Sequence, residues 1–528
     1  MNILSINFNH DGAGVILRDG KIAAYVNTER FSRIKKQPGI RDEDLDNLLD
    51  QANISLNEIN YVVVCNIGWV PSPDIVKRYG SGLEHKYLKF HLRHDDNTIT
   101  IRGITLPAVI NPNHWLLHNA LAYYTSPFDL AICFSWDPVG TGTGIGNKEK
   151  LYTLEYKPLQ RSSRIYSRAS KVVMGSGLFG SGKLMGLAPY GETGQNILSY
   201  KHIRDVEGLL RMCKSNPVNI LSSNKEYNAT IAYHAQCMLN EHLSIIMQDL
   251  FDITLDLKND YGLCLSGGTA LNSVANETAY QSSKFRNIHL APACGDDGTA
   301  IGGAMYTYHH LLGFPKLYHK LSDLAFSVKQ YDMNEVDRVI SNSLHTKRFI
   351  VIETKNYIAE AAKLLSDRKI VAWFNGPSEV GPRSLGNRSI LADPRDPKMK
   401  DKINKKIKFR ETYRPFAPSV INESSLDYFS IKDSPFMLRV CNVISDKLPS
   451  ITHIDGSSRV QTVTEQFNNE YYSLLKHFQE LTGCPVLLNT SFNIKGEPIV
   501  ETPTDAIKCF LSTGIDTLVF KNRLLTKV

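Results

Sequence analysis

No stretch of this sequence is apolar over the roughly 20 residues that a bilayer-spanning helix requires, so an integral α-helical membrane protein is excluded. Nine cysteines are present, but no two form a CxxC pair and their spacing follows no pattern. That excludes a disulfide scaffold or a zinc finger and leads us to expect reduced thiols in the cytoplasm. A basic leader is also missing: Met1-Asn2-Ile3-Leu4-Ser5-Ile6-Asn7-Phe8 alternates like a strand and does not read as a signal peptide. Nor is there a basic array interleaved with aromatics, so neither nucleic acid nor a membrane is an expected partner.

What is present fits a soluble protein of several domains. A chain of 528 residues exceeds one hydrophobic core, and 42% hydrophobic with 21% charged residues is ordinary for globular folds. The formal net charge of +7 is unevenly spread. Lys398 to Arg414 holds six lysines and two arginines against Asp401 and Glu411, a local excess of +6. Together with its neighbours, this run points to a small polyphosphate.

The chain is organised around Asn113-His114-Trp115-Leu116-Leu117-His118. Positions i and i+4 share a helix face, with Cβ atoms about 5–6 Å apart, so two imidazoles so placed can grip one metal ion. An apolar strand, Leu130 to Asp137, follows and ends on a carboxylate. Gly140, Gly142 and Gly144 then read as a glycine-rich turn, which would let Asp137 reach the histidine helix. Two nitrogens and a hard oxygen leave coordination positions open, as a catalytic metal requires. Asp296, in the small-residue stretch Ala293 to Ala304, offers a further carboxylate.

Taken in order, residues 1–27 predict a β-hairpin with a third strand after Asp19-Gly20, a strong turn signal. The loop Asn9-His10-Asp11-Gly12 and the basic segment Glu29 to Lys36 read as a rim facing substrate. Residues 40–65 predict a helix and the strand Tyr61–Cys65, and residues 70–105 an irregular insertion. Gly175 to Leu184 imitates a dinucleotide fingerprint and a P-loop, but Leu184 stands where a magnesium-binding hydroxyl belongs. Lys183 reads instead as part of a loop approaching a ligand. A long helix over 226–252 and a strand over 261–265 lead into Ser266-Gly267-Gly268, a turn with bare N–H groups suited to an anion. The pattern restarts near residues 340–350, where we place a domain boundary, giving 1–345 and 346–528. Beyond it lie Gly381 to Arg395, Lys408 to Pro418, Asp455 to Gln461 and Leu488 to Asn493, rich in arginine and asparagine and framed by glycine and proline.

These motifs resemble the NodU/CmcH/TobZ-type O-carbamoyltransferases over essentially the whole chain. The similarity rests on GKLMGLAPYG, GPRSLGNRSILADPR, K-x-R-E-x-x-R-P-F-A-P and LNTSFN together. The resemblance implies an α/β chain: an N-terminal actin-like (ASKHA) domain, akin to tRNA threonylcarbamoyl transferases, then a C-terminal α+β YrdC-like domain. It implies that carbamoyl phosphate and ATP form carbamoyl adenylate with release of pyrophosphate. The carbamoyl group then passes to an acceptor hydroxyl on a small molecule or glycan, with release of AMP. By this resemblance Arg383, Lys408, Arg414 and Arg459 neutralise phosphates, and Asn489, Ser491 and Asn493 orient the carbamoyl amide. Gly267, Gly268 and Asn272 contact the nucleotide. His114, His118, Asp137 and Asp296 hold a divalent metal, iron(II) first with zinc or manganese as alternatives, and magnesium accompanies ATP. His10 deprotonates the acceptor with Lys35 as its electrostatic partner, and a homodimer is among the assemblies the family allows. Where the family usually carries an Arg-Met-Glu-Phe-like lead, this chain has Pro377-Ser378-Glu379-Val380. Two rival readings are a tRNA- or protein-modifying carbamoyl transferase and a non-catalytic, sugar-kinase-like nucleotide module. The missing CxxC modules and the domain order oppose a hydrogenase-maturation type, and the arginine loops oppose the second rival.

Overall fold

The computed structural model of the protein describes residues 1–68, 73–80, 87–156, 158, 161–192, 225–257, 260–326, 329–344 and 347–528. The chain forms two compact units, one of residues 1–22 and 38–319 and one of residues 23–37 and 320–528. The boundary expected at 345/346 falls outside the described residues. The second unit begins upstream of it because the helix Met333–Ser343 places Val336 and Ile340 in the same core as Phe349, Leu365 and Phe510.

The first unit opens with strands β1 (Asn2–Asn7) and β2 (Ala13–Arg18), which pair antiparallel as expected. Asp19 and Gly20 both take positive φ, +48° and +79°, at the turn into β3 (Lys21–Asn27). The helix Asp42–Ala52 and the strand β4 (Tyr61–Cys65) follow as expected, and β4 runs parallel to β1. The described residues of the span 70–105 are more regular than the sequence suggests. They contain a helix over Pro73–Tyr79 and strands β5 (Phe90–Arg93) and β6 (Thr98–Ile101), and β7 (Ile104–Ile110) follows in the same sheet. The turn between β6 and β7 is Arg102-Gly103, both at positive φ, and lacks the Asn-Gly or Asp-Gly signature that marks such hairpins.

The second sheet of this unit has the order β10-β9-β8-β11-β12, with β8 (Leu130–Asp137), β9 (Gly140–Asn147), β10 (Lys150–Thr153), β11 (Gly262–Ser266) and β12 (Ile288–Leu290). Here the expected glycine-rich turn is instead a strand: β9 pairs with β8 along its whole length, from Asp137↔Gly140 to Leu130↔Asn147. The alternation of glycines has a packing cause. A Cβ at Gly140 would lie 2.6 Å from the Trp115 ring, one at Gly142 2.2 Å from the Trp115 Cβ, and one at Gly146 2.2 Å from the Tyr123 ring. Glycine at every second position therefore bares one strand face so that the helix His114–Tyr124 can lie on it.

That helix is capped by Asn113, whose side chain accepts from Trp115 N (2.9 Å) and Leu116 N (3.3 Å). Its other side meets the helix Thr299–Met305, which also packs on β1, β2 and β4.

The second unit is built on one mixed sheet, order β13-β21-β20-β14-β15-β19-β16-β18-β17, whose outer strands are β13 (Phe349–Glu353), β21 (Arg523–Lys527) and β17 (Arg439–Asn442). The central strands are β14 (Val371–Phe374), β15 (Arg388–Ala392), β16 (Ala417–Ile421) and β19 (Val486–Ser491), with β18 (Ser457–Val463) beyond β16. Only the β14–β20 and β16–β18 pairs among those described are parallel, where β20 is Thr517–Phe520. Arginine- and asparagine-bearing loops adjoin this sheet over residues 381–387, 409–416 and 492–493. The mixed α/β character agrees with the sequence reading.

Candidate functional sites

Four side chains of the first unit converge on one point. His114 and His118 come from the histidine helix, Asp137 from the end of β8, and Asp296 from the turn Asp296–Gly298. One donor atom from each lies within 4.8 Å of all the others. His118 Nε2 is 3.3 Å from Asp137 Oδ2 and 3.4 Å from Asp296 Oδ1; His114 Nε2 is 3.6 and 3.9 Å from the same atoms. Bonds of about 2.0–2.2 Å to one ion, at angles of about 100–135°, give such separations. His118 Nε2 and Asp137 Oδ2 are buried and have no hydrogen-bond partner, as expected of atoms aimed at a cation. The residues therefore fit a divalent ion with two nitrogen and two oxygen donors.

The remaining atoms of these side chains are held by neighbours. His114 Nδ1 lies 2.9 Å from Asn66 Oδ1, and His118 Nδ1 lies 3.3 Å from Ser266 Oγ, which orients both rings. Asn9 Nδ2 donates to Asp296 Oδ2 at 2.6 Å, and Gly268 N donates to Asp137 Oδ1. Burial opposes charge on His118, but the facing carboxylates outweigh it and push its pKa up to about 10. Burial likewise raises Asp137 and Asp296, yet the imidazoles hold both below the usual carboxylate range. A field that binds a proton so firmly also binds a cation, which would displace that proton. His10 joins the group, with Nε2 3.5 Å from Asp296 Oδ2 and Nδ1 2.9 Å from Asp11 Oδ2.

Gly267 and Gly268 do lie in a strand–turn–helix element, but the anion that meets the Gly268 N–H here is Asp137. At Gly267 (φ +88°) a Cβ would sit 2.6 Å from the Trp136 backbone, and at Gly268 2.5 Å from Asp137 Oδ1, so both positions require glycine. Asn272 caps the helix Ser273–Ser282 through Ala275 N (3.1 Å) and donates to Gln236 Oε1 (3.0 Å). Lys183 lies half-buried on the helix Gly177–Leu187 and not in a loop. Small residues there serve helix packing, since a Cβ at Gly180 would meet Ser170 Oγ at 2.5 Å and Met174 Cβ at 2.8 Å.

In the second unit, Arg383, Arg410, Arg414 and Arg459 form a cationic cluster. Burial and the charges of Arg383, Arg410 and Arg414 push Arg459 far below its ordinary pKa; burial and Arg414 push Arg410 down to about 9. Guanidiniums stay protonated, so this strain measures how strongly the cluster would welcome an anion. Arg459 Nε is buried without a hydrogen-bond partner. Lys408 behaves differently from the expectation of a charge offered to phosphate. Lys408 is 3% exposed, and its ammonium donates to Asn493 Oδ1 (2.8 Å), Asn493 O (3.0 Å) and Ser491 O, so its three hydrogens are engaged in holding the LNTSFN loop. Asn489 is also engaged: Nδ2 donates to Ser419 Oγ (3.0 Å), Gln461 Oε1 (3.0 Å) and Ser384 O (3.2 Å).

Two sequence profiles of one family match the chain. The Carbamoyltransferase N-terminus profile matches residues 71–305, and the Carbamoyltransferase C-terminus profile matches residues 362–527. The chain belongs to the carbamoyltransferase family. It is 33% identical to the uncharacterized protein sll1178 of Synechocystis, over 100% of this chain and 97% of that one. It is 31% identical to the nodulation protein NolNO of Sinorhizobium fredii, over 98% and 79%. It is 30% identical to the 3'-hydroxymethylcephem-O-carbamoyltransferase of Amycolatopsis lactamdurans, over 64% and 63%.

Asn9, Asn66 and Ser266 of this carbamoyltransferase brace the His/Asp cluster across long separations that no local pattern marks. Two further side chains act locally: Arg410 joins the guanidiniums beside Arg414, and Glu379 Oε1 accepts from Leu385 N, Asn387 N and Arg388 N (2.8–3.0 Å). Glu379, the one residue of Pro377-Ser378-Glu379-Val380 that matches the Arg-Met-Glu-Phe-like lead, thus supplies the carboxylate that shapes the next turn. Lys35, the expected electrostatic partner of His10, is part of the second unit; within that unit Glu29 Oε1 lies 3.7 Å away and its charge bears on Lys408.

Protein purified without chelator is expected to carry about one transition-metal ion per chain by elemental analysis. His114→Ala with His118→Ala should lose it. Titrating an ion into metal-free protein should release protons, as His118 gives up its own. Full metal retention in the double variant would remove the site.

Proposed function

We propose that this carbamoyltransferase makes carbamoyl adenylate in its second unit and delivers the carbamoyl group to an alcohol in its first. In this reading the first unit is ASKHA-like and the second YrdC-like. Water cleaves carbamoyl phosphate to carbamate and phosphate, and a carbamate oxygen attacks the α-phosphorus of ATP. The bond to the β-phosphate oxygen breaks, and pyrophosphate leaves. The acceptor hydroxyl then attacks the carbamoyl carbon, and AMP departs. The cephem relative, by its name, carbamoylates a hydroxymethyl oxygen, and we extend that acceptor chemistry to a small molecule or glycan hydroxyl here.

The observation that carries this reading is the guanidinium cluster. Arg383, Arg410, Arg414 and Arg459 would neutralise the triphosphate and the charge growing at phosphorus. Lys408, through Ser491 and Asn493, would hold the loop that orients the carbamoyl amide. In the first unit His10 would take the acceptor proton at Nε2, its tautomer fixed by Asp11 at Nδ1. A divalent ion, iron(II) by family analogy, held by His114, His118, Asp137 and Asp296 would supply Lewis acidity toward a carbonyl or phosphate oxygen. The test is isotope exchange between pyrophosphate and ATP. It should require carbamoyl phosphate, and net AMP formation should require a hydroxyl acceptor. Exchange at the same rate without carbamoyl phosphate would overturn the reading.

A further inference from the structure

The phosphate loop of the second unit is held from two sides, and one of them comes from the far N-terminal part of the chain. Residues 384–388 are tied down by their neighbours. Glu379 Oε1 takes three backbone N–H groups, Gln461 Nε2 donates to Leu385 O (2.8 Å), and Asn489 Nδ2 donates to Ser384 O (3.2 Å). The arm leading into Arg383 is different. Gly381 takes φ +88°, a conformation that glycine alone adopts without strain and that packing of a side chain does not define. Its carbonyl points into the protein, where an acceptor without a donor is costly. The donor is Arg30: Nη2 lies 2.8 Å from Gly381 O and 3.5 Å from Glu379 O, across 351 residues of sequence.

Arg30 is 3% exposed, so it is no surface charge. It sits with Arg388, Glu379 and Glu501, all buried, in a set of two cations and two anions. Burial pushes the Glu501 carboxyl up, and Arg388 and Arg30 oppose that shift. Arg388 turns to other acceptors, donating through Nη1 to Gly376 O (2.9 Å), Asn375 O (3.1 Å) and Asn387 O (3.2 Å). That leaves Arg30 to reach the Gly381 carbonyl. An arginine suits this task because the two hydrogens of Nη2 can serve the two carbonyls and its charge is balanced by the buried carboxylates.

We infer that Arg30 is a positioning residue for Arg383. By fixing the carbonyls of Glu379 and Gly381, it sets where the Arg383 guanidinium meets a nucleotide phosphate. The inference rests on the phosphate-site reading above and names a residue that acts only through it.

The test is a double-mutant cycle on the full-length protein, with ATP and magnesium titrated by calorimetry. Arg383→Ala is expected to weaken ATP binding tenfold or more, and Arg30→Met by about tenfold. In the Arg383→Ala background, Arg30→Met should weaken it by no more than about twofold, because the group it positions is gone. A merely structural loss would weaken binding equally in both backgrounds, and that additive result overturns the inference. Should Arg30→Met not fold, Arg30→Lys replaces it in both backgrounds; it keeps the charge and one donor, and the same non-additivity is required. If wild type and Arg383→Ala bind ATP equally, the phosphate-site reading itself fails. If Arg383→Ala weakens ATP but Arg30 variants do not, that reading stands and Arg30 has no such role.

Discussion

Arg459→Ala is expected to lose carbamoyl-phosphate-dependent ATP–pyrophosphate exchange by roughly two to three orders of magnitude while making the ligand-free protein no less stable. Both halves of this result follow from one arrangement. Arg459 is surrounded by the charges of Arg383, Arg410 and Arg414, and Glu411 meets the cluster through a long contact, Arg414 Nη1 to Glu411 Oε2 at 4.0 Å. Without a bound anion, four like charges repel one another, so removing one relieves strain. With a triphosphate bound, the same charge stabilises the pentavalent transition state, and its loss costs on the order of 2–4 kcal/mol. Activity should fall while thermal stability holds or rises, a combination that general damage to the fold does not produce. His10→Ala separates the two steps. It belongs to the other unit, so exchange should persist near the wild-type rate while transfer to the acceptor stops. Loss of exchange in His10→Ala as complete as in Arg459→Ala would end the two-site account.

How much of this was legible in the residues alone depends on distance along the chain. The HxxxH helix, the strand ending on Asp137, the Asp19-Gly20 turn and the Ser-Gly-Gly turn were all visible, because each is set by periodicity or turn chemistry within about ten residues. The role of the glycines from 140 to 146 was not. A glycine at every second position is equally the mark of a flexible turn and of a bare strand face, and only the rings of Trp115 and Tyr123 decide between them. Lys183 reads as a loop residue for the same reason: glycine in a helix goes against propensity, and at Gly180 it is the neighbouring helix that requires it. The bracing side chains Asn9, Asn66 and Arg30 carry no local pattern. Their partners lie 287, 48 and 351 residues away, a separation no spacing rule encodes.

The placement of Asp296 depends on such a long-range contact, and it gives the second large effect. Gly302→Ala is expected to destabilise the protein by at least about 1–3 kcal/mol and to weaken metal binding strongly, although Gly302 contacts no ligand atom. A Cβ at position 302 would lie 2.0 Å from Leu117 O and 3.1 Å from Leu121 N. These are backbone atoms of the histidine helix, so no rotamer change relieves the clash, and one helix must move away from the other. Asp296 lies just before the helix that carries Gly302, while His114 and His118 ride on the helix it would be pushed from. A shift of about an ångström opens donor separations that a single ion with bonds near 2.1 Å cannot span. Gly182→Ala is the matched comparison. It is also a helical glycine, a Cβ there meets nothing within 4 Å, and the change should be neutral or stabilising by about 0.5–1 kcal/mol. Thermal melts and metal content measured on both variants decide the point. If Gly302→Ala melts and binds metal like Gly182→Ala, the close crossing of the two helices is not what sets the ligand geometry.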